Sequence, residues 1–157
     1  MKSIFLKTVL FMLLISGLFF AERQGNSEEK SPLKKGPITI TSETLSADNK
    51  ARTAFFEGSV LARTDSAELH ADRMLVFYSE DGKVIKIEAE GDVRLIRGQR
   101  VMTSDKALYF AEEEKVIFTG SPKATEAGNV VTGTKITYMI KEDRSIVEHS
   151  RVFIKSE

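Results

Sequence analysis

From Pro37 onward the chain alternates between polar and apolar positions. In the run from Val84 to Leu95, Val84, Lys86, Glu88, Glu90, Asp92 and Arg94 share one phase, and Ile85, Ile87, Ala89, Gly91, Val93 and Leu95 share the other. One phase is mainly charged and the other apolar or small, which predicts an antiparallel strand with one buried face. Ala54, Phe56, Gly58, Val60 and Ala62 form the same apolar face in an earlier strand. Val116, Phe118, Gly120, Pro122 and Ala124 form it in a later one. Outside the first 21 residues no window carries a comparable helical period, so the predicted class is all-β.

The strands repeat. FEGSV (Phe56 to Val60), EAEGDV (Glu88 to Val93) and FTGSP (Phe118 to Pro122) place glycines at 58, 91 and 120, and His149 stands one further step along. A second phrase interleaves with the first: SETLSA, ADRMLVFY, SDKALYF and GTKITYMI, with Glu43, Asp72, Asp105 and Thr134 as their second residues. Two phrases on a period near 30 describe about four copies of a two-stranded unit. Short charged turns, Glu80-Asp81-Gly82-Lys83, Glu112 to Lys115 and Glu142-Asp143-Arg144, punctuate them as hairpin tips.

Glycine inside a strand marks a bulge, a sharp bend or a close approach of another group. Stacked unit on unit, Gly58, Gly91 and Gly120 predict a line of bends, placed on the inward face of each second strand, that folds the sheet into a V. The inward phase of the other strands holds Leu45 and Ala47, then Met74, Val76 and Tyr78, then Ala107 and Tyr109, then Ile136, Tyr138 and Ile140. With Phe56, Ile87, Val93, Leu95 and Phe118 they form an apolar column, which reads either as a sandwich core or as a channel suited to long acyl chains. An open sheet also has two unpaired edges that invite another strand. The candidates are Ile38 to Ser46, with Ile38 and Ile40, at one end. At the other they are Val130 to Ile140, with Ile136 and Tyr138, or Val147 to Ile154, with Val152.

Composition narrows the chemistry. The 157 residues suffice for one domain with one core. Cysteine and tryptophan are absent and the histidines are His70 and His149, which removes disulfides, thiolate metal sites and cysteine nucleophiles. Lys2 and Lys7 followed by an apolar run to Ala21 have the layout of an export signal, residues 1–21. Phe19 spoils the usual small-residue cleavage rule, so an uncleaved anchor is the alternative. Residues 22–36 read as a polar linker and 37–155 as the folded domain. Without the two signal lysines the exported part carries 21 basic and 23 acidic residues, so nothing in its charge favours nucleic acid.

The phrases A-D-x-hydrophobic and hydrophobic-x-G-x-V, interleaved behind an export signal, resemble the LptA/OstA family of lipopolysaccharide-transport proteins over nearly all of Pro37 to Ile154. The most specific segments are FEGSVLARTDSAELHADRMLVFY, KIEAEGDVRLI and SDKALYFAEEEKVIFTGSP. The resemblance implies an open β-jellyroll, a folded V of antiparallel strands, with a hydrophobic groove for lipid A acyl chains. It also implies a periplasmic place in a two-membrane envelope, self-association, and inner- and outer-membrane jellyroll partners in a head-to-tail bridge. EHSRV departs from the pattern by putting His149 where glycine stands elsewhere, which leaves the last strand's register open.

Other candidates are weaker. Asp72 and Asp105 sit at equivalent repeat positions and are expected to set strand starts rather than form a catalytic pair. His70 and His149 have no spaced partner for a metal, and no cofactor, metal or enzymatic activity is expected. Lys34-Lys35 is too small for a phosphate site, and no phosphate-binding loop that could drive transport is present. Arg97 and Arg100 flank a turn at Gly98, where a groove rim would meet lipid phosphates. Two readings of different class remain: a lipid-carrying module, and a β-solenoid scaffold with a filled interior.

Overall fold

A computed structural model describes residues 37–155; the signal and linker expected over residues 1–36 lie outside the described residues. Twelve strands form a single antiparallel sheet: β1 (Thr39–Thr41), β2 (Thr44–Asp48), β3 (Thr53–Arg63), β4 (Glu68–Tyr78), β5 (Val84–Arg97), β6 (Arg100–Phe110), β7 (Lys115–Thr119), β8 (Lys123–Glu126), β9 (Asn129–Thr132), β10 (Lys135–Met139), β11 (Arg144–Glu148) and β12 (Arg151–Phe153). Every pairing is antiparallel, as hairpin connections require. The fold is the bent antiparallel sheet that the alternation and the repeat predict, and the open jellyroll that the resemblance implies.

The sheet has two walls. β3, β4, β5 and β6 run unbroken through both. The remaining strands are broken at the bend into pairs: β1 with β2, β7 with β8, β9 with β10, and β11 with β12. One wall therefore runs β1-β3-β4-β5-β6-β8-β9-β12. The other runs β2-β3-β4-β5-β6-β7-β10-β11.

The bend lies where the glycines predict it. Glu57 faces Arg73 and Val60 faces Ala71, so Gly58 and Ser59 together oppose Asp72, a β-bulge. Gly91 and Asp92 oppose Asp105 in the same way. Read across the sheet, the line is Glu43, Gly58, Asp72, Gly91, Asp105, Gly120, Thr134, His149. Each bulge pair is left-handed: Gly58 and Ser59 have φ of 83° and 46°, Gly91 and Asp92 78° and 42°, Gly120 and Ser121 75° and 50°. Glycine enters this region without the steric cost other residues incur.

Two sequence expectations are corrected here. The glycines do not turn a vacant side toward the core: a Cβ on Gly58 would fall 2.6 Å from the Glu43 carboxyl carbon, and one on Gly91 or Gly120 would overlap Asp72 or Asp105. All three acidic residues are exposed, so the vacancy faces the solvent side of the bend. Asp72 and Asp105 also do not start strands; they sit mid-way along β4 and β6. Their carboxylates lie over the neighbouring strand's glycine, where a larger residue would leave no room.

The final bend is built differently. Lys135 faces Glu148 and Thr132 faces Arg151, so equal numbers of residues separate the two half-ladders and no bulge forms. The register places His149 opposite Thr134, the glycine's position, and His149 is itself left-handed with φ of 49°. Its ring nitrogen Nδ1 lies 3.0 Å from the Thr134 hydroxyl, and the small residue has moved to Gly133, where a Cβ would fall 2.5 Å from the Glu148 carbonyl.

The bend also resets the buried phase. In β4, Ala71 and Met74 are both buried with Asp72 and Arg73 exposed between them; in β6, Ser104 and Ala107 are buried around Asp105 and Lys106. Simple alternation therefore finds Met74, Val76, Ala107 and Tyr109 but assigns the wrong phase to Leu69, Ala71 and Met102 on the other side of the acid. In β3 and β5 the extra bulge residue restores the phase, and Phe56 with Val60, and Ala89 with Val93, stay inward.

Candidate functional site

The space between the walls is the only apolar region common to all repeats among the described residues. Of the predicted groove residues, Phe56, Met74, Val76, Ile87, Val93, Phe118, Ile136 and Tyr138 are buried in one cluster, and Tyr78, Leu95 and Tyr109 pack against it half-buried. Leu45 pairs with Phe56 and so lies on the same face, yet it is 59% exposed because β2 is an edge. The walls are unequal. One contributes Phe56, Met74, Val76, Phe118, Ile136 and Tyr138, the other smaller or more flexible side chains: Val60, Ala62, Ala71, Val93, Met102 and Ala124. Each large side chain fully buried here stabilises by about 1.5–3 kcal/mol.

The edges differ in part from the sequence expectation. Ile40 lies in the outermost strand β1 with Ile38 just before it, and Val152 lies in the outermost β12, 54% exposed. Ile136 and Tyr138 do not lie on an edge. β10 is paired on both sides, with β7 and β11, and both residues are buried. The bent strand from Arg144 to Phe153 covers β10 with β11 and β9 with β12, because the fourth repeat supplies its second strand as the other three do. The inner face therefore ends in uncovered apolar side chains on both sides, Leu45 at one edge and Val152 at the other.

A polar cluster crosses between the walls at the mouth of the V. Arg97 and Arg100 flank the β5–β6 turn. Facing them from the opposite wall are Tyr138 on β10 and Asp143 in the β10–β11 turn. Arg97 donates to the Tyr138 hydroxyl (2.7 Å) and to the Ile140 carbonyl (3.3 Å), and Tyr138 donates to Asp143 (2.8 Å). Arg100 binds Asp143 at 2.6 Å and, within its own wall, Glu126 at 2.9–3.0 Å. The Arg100 guanidinium also lies 5.3 Å from the centre of the Tyr138 ring. Hydrogen bonds from Tyr138 and then Arg100 hold the Asp143 carboxyl below its ordinary range. Burial pushes the Tyr138 phenol up, aided by its bond to Asp143. For Arg100, burial pulls downward, while Glu126 and Asp143 outweigh it and leave the guanidinium raised. Arg97 and Arg100 were legible as rim residues; their partners, roughly 40 residues away, were not.

Beside this cluster a cleft of about 240 Å³ opens between the walls, with Arg100, Glu126 and Asp143 at its polar end and Met102, Val131 and Val147 along its apolar side. No group of acidic and histidine side chains that could hold a metal occurs among the described residues. His70 is accounted for by the sheet surface, 3.5 Å from Glu68.

A family model described as the LptA/(LptD N-terminal domain) LPS transport protein matches residues 39–144. The chain belongs to this family. The match begins at β1 and runs to the start of β11, so it includes three of the four bends and both arginines of the mouth. The uncharacterized protein RP507 of Rickettsia prowazekii (strain Madrid E) is 24% identical over 109 residues, covering 66% of this chain and 75% of that protein. Among solved structures, the fold matches LptH of Pseudomonas aeruginosa, described as the LptA-homologous periplasmic component of the conserved lipopolysaccharide transport device. The TM-score is 0.71 at 16% identity, over 77% of this chain and 96% of that one, a likeness of fold.

Proposed function

We propose that this protein is a periplasmic carrier of lipopolysaccharide, holding acyl chains between the two walls and passing them to similar domains stacked at its edges. The observation that supports the reading best is the apolar inner face that continues without interruption to both unpaired edges, where Leu45 and Val152 stand uncovered. Edge strands add partner strands through main-chain hydrogen bonds, and a partner seated there would extend the apolar face in register. Family membership and the likeness to LptH agree with it.

The thermodynamics favour a track over a free carrier. Each buried methylene contributes about 0.8 kcal/mol, so several acyl chains would not leave for water unaided. A row of matched grooves lets a chain leave one apolar site while entering the next, and each step is close to level. Direction comes from an upstream motor in the inner membrane, with inner- and outer-membrane jellyroll domains as the neighbours of the row. The tight interior requires the walls to part as lipid enters, replacing side-chain contacts with acyl contacts of similar energy.

The packed interior also fits a scaffold with a filled core, and one experiment separates the two. A photo-crosslinking amino acid replaces inward Tyr109, with Phe56 and Val76 tried beside it and outward Lys86 as control, in cells with antibody-detectable lipopolysaccharide. Adducts at the inward positions and none at 86 are expected. Absence of adducts at all three inward positions sinks the carrier reading.

A further inference from the structure

We infer that Arg97 and Arg100 form a binding site for the phosphate of an amphiphile, and that Asp143 occupies it as an internal counter-ion while the V is shut. This rests on the lipid-carrier reading and adds to it which residues recognise the headgroup and how its arrival opens the mouth.

Three observations on different links carry it. The first is geometric: Arg97 and Arg100 flank one turn and direct their donors at a single carboxylate and phenol across the mouth. Two guanidiniums whose acceptors, the Tyr138 hydroxyl and the Asp143 carboxylate, are bonded to each other match a phosphate, which offers three oxygens and more charge than a carboxylate. The second is the unequal hold on the two acids. Glu126 lies in the same wall as Arg100, next to the Val101–Thr125 pair of the β6–β8 ladder, so parting the walls leaves it in place. Asp143 belongs to the other wall, in a turn, with its side chain 65% exposed, and can swing away without disturbing a strand. The third is the cleft, apolar on one side and lined at its polar end by Arg100, Glu126 and Asp143, which suits an acyl chain with an anionic head in place of Asp143.

Exchange of Asp143 for phosphate removes its contact across the mouth, to Arg100. What remains across the walls is Arg97 with the Tyr138 hydroxyl and the Ile140 carbonyl, and Arg100 against the Tyr138 ring. Headgroup binding and wall separation are therefore coupled: whatever favours the open mouth raises phosphate affinity, and phosphate favours the open mouth by the same factor. A neutral amphiphile with the same tail enters without that assistance.

The test compares dodecyl phosphate, dodecyl maltoside and inorganic phosphate, each below any micelle concentration, by calorimetric titration into the full chain. Dodecyl phosphate is expected to bind about tenfold more tightly than dodecyl maltoside, the scale of one charge-assisted hydrogen-bond set. Asp143→Asn, which keeps both arginines, is expected to widen that ratio severalfold. The double substitution Arg97→Gln, Arg100→Gln is expected to abolish it, with an unchanged strand spectrum confirming the fold. Equal binding of the two amphiphiles, or a ratio unmoved by Asp143→Asn, overturns the arginine site while leaving the lipid groove standing. Inorganic phosphate binding as tightly as dodecyl phosphate overturns the amphiphile and identifies a free-anion site. No binding of either amphiphile to wild type or Asp143→Asn overturns the site together with the carrier reading.

Discussion

The V is held by different chemistry at its apex and at its mouth. At the apex the backbone does the work: left-handed glycines, an extra residue in each bulge and a carboxylate seated over each glycine repeat from strand to strand. At the mouth four side chains from opposite walls meet through hydrogen bonds and ion pairs, with Asp143 the exposed member. A backbone bend has no alternative partner and stays as it is. A side-chain pair can exchange its partner for water, an ion or a ligand at little net cost, since such pairs contribute little once solvent competes. The difference assigns rigidity to the apex and opening to the mouth, which a carrier that must take in and release a chain needs.

The strongest way to break this contrast is at the apex. Gly91→Val should destabilise by about 4 kcal/mol, combining left-handed strain with overlap on Asp72; urea unfolding reads the loss directly, and a cost below 1 kcal/mol would remove the apex from the account. Part of that cost is the carboxylate. In an Asp72→Ala background, Gly91→Ala should be easier than in wild type by about 1 kcal/mol, a coupling measured by the double-mutant cycle. Additive costs would show that strain alone matters.

At the mouth, Tyr138→Phe should cost about 1 kcal/mol by deleting a hydroxyl bonded to Arg97 and Asp143. The mouth should also respond to acid. The Asp143 carboxyl is held below its unfolded value, so its contribution is present above the ordinary carboxylate range and is lost as pH falls through its depressed value. Acid unfolding of Asp143→Asn should therefore begin from lower stability and decline less as pH falls from the ordinary carboxylate range through the depressed value of Asp143; identical pH profiles for the two proteins would refute the linkage. The smallest effect belongs to the fourth bend. His149→Gly should change stability by less than about 0.5 kcal/mol, because relief of the left-handed strain is offset by added backbone freedom in the unfolded chain. A thermal melt shifted by many degrees would mean that the Thr134–His149 contact holds that bend.

The alternation, the repeat and the glycine spacing determine by themselves that the chain is an antiparallel sheet bent along one line. Each of those signals is local, a matter of period two within a strand and of one residue type that tolerates φ above zero. Even His149 was placed at the right position by spacing alone, and the register of β10 with β11 shows it there without a bulge. Which phase of β4 and β6 turns inward beyond Asp72 and Asp105 was decided by the bend, since two consecutive exposed residues break the alternation. That β10 is interior and the bent strand Arg144–Phe153 is the edge was decided by pairing between neighbouring repeats. The meeting of Arg97 and Arg100 with Tyr138 and Asp143 belongs to the tertiary structure alone, because it depends on how far two walls fold over each other, and no window of sequence contains both.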